Sequence, residues 1–172
     1  VSTSILRERE SGPASRLTTR SWRRSRARWT AGCGSAGGIY TGDVRIENET
    51  DAEFFSDYSE VVGNVTVFSE SLTNFGWSNL TKIDGNLFIQ DSPKLESFSM
   101  DYLSQVDGAV LIKNNDRLRV FSLKRLSQIN GTLGIVYNDN LPSCFAQEVV
   151  DDIGESNITD GYNIEYNGSG DC

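Results

Sequence analysis

A unit of about 23 residues recurs along the middle of this chain, and no other feature restricts its fold as tightly. Gly42, Gly63, Gly85, Gly108 and Gly131 are spaced 21, 22, 23 and 23 residues apart. Each is followed by an alternating apolar pair: Val44 and Ile46, Val65 and Val67, Leu87 and Ile89, Val110 and Ile112, Leu133 and Ile135. Two residues before the glycine stands Val61, Ile83, Val106 or Ile129; ten after it stands Leu95, Leu118 or Leu141. Phe98 and Phe121 match at thirteen after, and Leu103 and Leu126 at eighteen after. Alternation with period two marks a short strand with one buried face. A single copy cannot bury that face, but stacked copies align equivalent residues into ladders through a shared core. Every copy starts its strand at the same phase, so the strands pair in parallel, about 4.8 Å apart. Helical spacing is poor here, and Gly, Asn, Asp and Ser interrupt the run every few residues. The expected fold is all-β, a right-handed parallel β-solenoid with one short capping helix.

Asn115 and Asn138 follow Ile112 and Ile135 by three residues, at the inside corner of a coil; Ser92 holds that place in the preceding copy. An amide there can satisfy backbone groups in the turn, so these residues are expected to be structural. The order I-x-G-x-L-x-I, then N-x-x-L, then F/L-x-x-x-x-L resembles the receptor L-domain, a leucine-rich-repeat-like solenoid. That domain forms the ligand-binding lobes of insulin- and growth-factor-receptor ectodomains. The similarity is greater to stand-alone versions on microbial surfaces, such as fungal cell-wall organisation proteins. The opening "GIYTGDVRIENETDAEFFSDYSEVVGNVTV" resembles the family's first coil, and "NDNLPSCFAQEVVDDIGESNITDGYNIEYNGSGDC" resembles the C-terminal cap of microbial members. The resemblance covers residues 38–172. It implies a non-enzymatic extracellular module, at the cell surface or in the cell wall, whose partner is a protein or a wall glycan.

Charge divides the chain in two. Residues 1–37 carry eight Arg against Glu8 and Glu10, a balance of +6; residues 38–172 carry eight Lys or Arg against 22 acidic residues, a balance of −14. The first segment is rich in Arg, Ser and Gly without apolar periodicity, and reads as a disordered leader. It has no apolar h-region of a signal peptide. The chain opens on Val1 and its only Met is Met100, which reads as a fragment or a processed product. The acidic body would repel a phosphate backbone, so nucleic acid is not an expected partner. No apolar run approaches the roughly 18 residues of a membrane-spanning helix.

Two further signals point outside the cell. N-x-S/T sequons occur at Asn48, Asn64, Asn79, Asn130, Asn157 and Asn167, more than chance pairing of these residue types would give. Cys144 falls thirteen residues after Gly131, where earlier copies have Phe98 and Phe121, so its side chain is expected to point inward. The segment "SCFAQEVVDDI", residues 143–153, reads as a capping helix with Ser143 as N-cap and an apolar stripe of Phe145, Val149 and Ile153. The strand-like run from Tyr162 to Tyr166 should lie beside Leu133–Ile135, and a Cys144–Cys172 disulfide would tie it down. Cys33 is left over, with its partner in sequence beyond this chain.

Catalytic signals are few. The chain has no His, which removes the commonest general base and His metal ligands. No phosphate loop, C-x-x-C pair or calcium loop is present, so neither metal nor cofactor is expected. The alternative reading is a carbohydrate-active β-helix enzyme with carboxylates in a cleft, the candidates being Asp84 and Asp107. Asn130 interrupts their column, so they read as turn formers before glycine. Phe54, Phe55, Tyr58, Phe75 and Trp77 cluster in the first two copies, either as a plug for the solenoid's end or as a binding patch.

Overall fold

A computed structural model describes residues 37–170, so most of the leader, Cys33 and Cys172 lie outside the described residues. Along the chain, the first coil holds β1 (Gly38–Thr41), β2 (Val44–Ile46) and α1 (Glu49–Phe55). The second holds β3 (Tyr58–Val62), β4 (Val65–Val67) and β5 (Asn74–Gly76), and the third β6 (Lys82–Ile83), β7 (Leu87–Gln90) and β8 (Ser97–Ser99). The fourth holds β9 (Gln105–Val106), β10 (Val110–Lys113) and β11 (Val120–Ser122). Then come β12 (Gln128–Ile129), β13 (Leu133–Val136), α2 (Ser143–Ile153), a short 3-10 turn (Glu155–Asn157) and β14 (Tyr162–Glu165).

The strands form three parallel sheets, one on each side of a β-solenoid. Sheet A has the order β1-β3-β6-β9-β12, sheet B β14-β13-β10-β7-β4-β2, and sheet C β11-β8-β5. Register follows the repeat: Leu87, Val110 and Leu133 are neighbours, as are Ile89, Ile112 and Ile135, and all six are fully buried. The irregular last copy also keeps phase, with Tyr162 beside Leu133 and Ile164 beside Ile135.

The recurring glycines have a steric cause. A Cβ on Gly63 would sit 2.4 Å from the Gly42 carbonyl oxygen, and one on Gly85 2.5 Å from that of Gly63. The backbones touch at this corner, and no larger residue fits. Inside, Phe75, Phe98 and Phe121 stack with centroids 5.5 and 5.0 Å apart.

Four expectations about the ends need correction. Among the described residues there are two α-helices rather than one. Asn48 caps α1, its Oδ1 accepting from the Asp51 N–H at 3.1 Å, while Glu49 and Asp51 place negative charge in the first turn. In α2 the N-cap is Pro142, not Ser143, whose hydroxyl instead donates to the Gly168 carbonyl. The fully buried stripe of α2 is Ala146, Val150 and Ile153, with Phe145 and Val149 half-buried against the core. Cys144 is exposed rather than inward. The helix begins at Ser143, so the thirteenth position is no longer the inward place of an extended chain. Phe145 closes the aromatic column instead, edge-on to Phe121 at 5.4 Å.

Candidate functional site

The corner between sheets B and C is built from two adjacent columns. The inner one is Ser69, Ser92, Asn115, Asn138 and Asn167. Each backbone N–H donates to the side-chain oxygen one coil further on: Ser69 to Ser92 (3.0 Å), Ser92 to Asn115 (3.2 Å), Asn115 to Asn138 (3.1 Å) and Asn138 to Asn167 (3.2 Å). The amides donate in turn to strand carbonyls, Asn115 to Ile89 at 2.9 Å, Asn138 to Ile112 at 3.0 Å and Asn167 to Ile135 at 2.6 Å. Among the described residues, no buried side-chain nitrogen or oxygen lacks a partner.

The outer column, one residue earlier, is Asp91, Asn114, Tyr137 and Tyr166. All four have left-handed backbone, with φ of 50°, 54°, 57° and 57°. Asn114 Nδ2 donates to Asp91 Oδ1 at 2.7 Å, and the two tyrosine rings stack at 4.8 Å with planes 3° apart. Both rings are exposed.

Sheet B shows solvent a face that is not polar throughout. Alternation turns Leu87, Val110 and Leu133 inward and Phe88, Leu111 and Gly134 outward. Phe68, Phe88 and Leu111 are half-buried, and Val136 is 9% exposed. Phe88, Leu111 and Gly134 are paired neighbours across β7, β10 and β13, whereas Val136 stands two residues further along, in the row of Gln90 and Lys113, and Phe68 lies just past β4. A Cβ on Gly134 would meet Leu111 Cδ1 at 2.8 Å.

The aromatic cluster separates into two sets. Trp77 and Phe75 are core residues, and Trp77 Nε1 donates to the Ala52 carbonyl of α1 at 2.8 Å. They lie in the core at the first coils of the solenoid, and Phe75 also lines the groove beside α1. Phe54, Phe55 and Tyr58 remain near the surface, with Tyr40 edge-on to Phe55 at 5.0 Å. An open groove between α1 and β5 is lined by Glu49, Ala52, Glu53, Ser56, Asn74, Phe75 and Gly76.

The paired carboxylates are committed elsewhere. Asp84 and Asp107 both grip Lys82 Nζ, Asp107 at 3.0 Å. A hydrogen bond from Gln105, then one from Lys82, holds the Asp107 carboxyl below the usual carboxylate range. Asp84 and Asp107, first with hydrogen bonds, hold the Lys82 ammonium above its ordinary value. Asn130 extends this column by donating to Asp107 Oδ1 at 2.9 Å.

The six sequons also differ in geometry. Asn48, Asn130 and Asn157 are exposed, and Asn64, Asn79 and Asn167 are half-buried. All six use Nδ2 within the fold, donating to Asp51, Asp107, Ile153, Asp43, Ser56 and Ile135 respectively. Cys144 Sγ lies 3.9 Å from the Gly170 carbonyl oxygen, beside the chain that leads to residue 172. No helix among the described residues is long and apolar enough to cross a membrane. Comparison with known proteins found no family model that matches this chain and no match among curated proteins.

Proposed function

We propose that this chain is a non-enzymatic recognition module of receptor L-domain type, working outside the cell at the surface or in the wall. Its partner-binding surface is the outer face of sheet B, and the partner is a protein. One observation carries this: the outward side chains at one paired position of β7 and β10 are Phe88 and Leu111, both apolar and only half-buried. A desolvated apolar centre with a polar surround is the usual make-up of a protein interface. Here Thr66, Gln90 and Lys113 are the polar neighbours of this pair.

The carbohydrate-enzyme alternative is weaker. A general acid needs a carboxyl held protonated near the working pH, and Asp107 is displaced the other way. The exposed Asn48, Asn130 and Asn157 are the sequons that would carry glycans. Cys144 closes a disulfide with Cys172 in this reading, supported by its nearness to Gly170.

Fractionation of intact cells tests the proposal. The chain should be recovered from the surface or wall fraction and lose mass on N-glycan removal, and an Asn48→Gln/Asn130→Gln/Asn157→Gln variant should not shift. Unglycosylated recovery from the cell interior overturns the reading. A Leu111→Asp variant should be exported normally but retained less; unchanged retention would exclude this face.

A further inference from the structure

The stacked tyrosines at the sheet B–C corner are not explained by the fold. Left-handed backbone is costly for a side chain with a Cβ, and Asn or Asp tolerates it best. The column begins with those residues, Asp91 and Asn114, and then changes to Tyr137 and Tyr166 at the same φ. Neither ring helps to fill the core: Tyr137 is 46% exposed and Tyr166 is 64% exposed. Strained backbone that displays a large exposed side chain is a common mark of a functional position.

The surroundings indicate the ligand class. The two rings cover one face of each other. Tyr166 follows β14, the terminal strand of sheet B, and much of its surface is open to solvent. Asp116, Arg117 and Asp139 are exposed on the turns that carry Asn114 and Tyr137, and none of them forms an ion pair among the described residues. The corner thus combines an exposed aromatic stack with exposed charged groups. A protein anchor side chain would need a pocket with an apolar rim. A pyranose ring needs an aromatic plane for its C–H face and polar groups at its edge for its hydroxyls.

We propose that Tyr166, backed by Tyr137, is a docking platform for a neutral, β-linked, gluco-configured oligosaccharide. Such a sugar carries its hydroxyls equatorially, so axial C–H groups cover both faces and one lies flat on the ring. An axial hydroxyl spoils that contact. This site goes beyond the protein-binding face of sheet B and does not rest on it.

The test uses the full chain in affinity electrophoresis and in NMR titration of the tyrosine rings. Cellohexaose, laminarihexaose and chitohexaose are the probes, and an α-mannan hexaose is the control. At least one β-linked probe should bind, with the ring signals of Tyr137 and Tyr166 shifting. Tyr166→Asn and Tyr137→Asn should each weaken binding about tenfold, with melting temperature unchanged or raised, because Asn suits the left-handed backbone. Leu111→Asp should leave sugar binding intact, which separates this site from the sheet B face. Absence of binding by every β-linked probe overturns the proposal. So does equal binding of the α-mannan, or binding that survives both Asn variants. A clear fall in melting temperature for the Asn variants would mean that the stack serves the fold, and would overturn it too.

Discussion

The inner and outer columns of the sheet B–C corner stand one residue apart and obey different rules. Inside, Ser69, Ser92, Asn115, Asn138 and Asn167 are one chemical type, short side chains that both accept and donate. Each turn exposes the same backbone N–H and carbonyl to the core, and an unpaired buried group costs about 1–3 kcal/mol. Outside, Asp91 and Asn114 give way to Tyr137 and Tyr166 at constant backbone geometry. Backbone need dictates the inner column. It leaves the outer one free to vary, and that is where binding properties can be placed.

The largest effect should come from the inner column. Asn138 accepts from the Asn115 N–H and donates to the Ile112 and Val136 carbonyls. Asn138→Ala strands several buried groups at once and should destabilise the fold by about 4 kcal/mol. Chemical denaturation measures this directly. A loss below about 1 kcal/mol would mean that water replaces the amide and that the two columns do not differ in kind.

Next comes a contrast within one strand of sheet B. Ile112→Ala removes a fully buried side chain between Ile89 and Ile135 and should cost roughly 2–5 kcal/mol. Its outward neighbour Leu111→Ala should stay within about 0.5 kcal/mol, as surface changes do. Equal losses at both positions would show that the outer face of sheet B is part of the core and not a surface awaiting a partner.

Smaller still is Tyr137→Asn. Losing the ring stack removes about 0.5–1.5 kcal/mol. Relieving left-handed backbone returns a similar amount, since that conformation costs roughly 1–2 kcal/mol for most residues. The two terms nearly cancel, and the expected change lies within about 1 kcal/mol. Thermal unfolding of this single variant decides whether the outer column carries stability.

How far these features can be read from the sequence depends on whether they repeat. The solenoid, its register and the Asn corner all follow from residues that recur every 22 or 23 positions, because parallel stacking converts period directly into contact. Trp77 was also legible. Counted back from the following glycine, it stands eight residues before Gly85, as Met100 stands before Gly108 and Leu123 before Gly131, and all three are buried. Counting forward from Gly63 hides this, since that copy is one residue shorter. The Cys144 error has another source: α2 replaces extended chain, and the 23-residue count stops meaning anything once the backbone coils. The first helix did leave a signal in Asn48 with Asp51 three residues on, a local capping pattern overshadowed by the repeat. The left-handed tyrosines left none in themselves, since nothing about Tyr announces positive φ. Only their alignment with Asp91 and Asn114 points to it.

The smallest prediction uses acid to separate inner from outer structure. The inner corner column contains only Ser and Asn, so its contribution does not titrate. The outer column at sheet A does: Lys82 is held between Asp84 and Asp107. The Asp107 pKa is lowered in the folded chain. Its contribution is therefore complete above the ordinary aspartate value of about 3.9 and is lost as pH falls through the lower folded value. The Lys82 pKa is raised. Its contribution is complete below the ordinary lysine value of about 10.4 and fades only as pH climbs through the higher folded value. Between those limits the pair should give a flat, small stabilisation, since both partners are partly solvated. Lys82→Met removes it, while Gln105 and Asn130 still hold Asp107. Melting temperatures of the two proteins should differ slightly at pH 7 and converge below about pH 3, where the carboxyls are protonated. A difference that persists undiminished at pH 2.5 would assign the effect to packing of the lysine stem. The outer column at sheet A would then be as indifferent to pH as the inner corner.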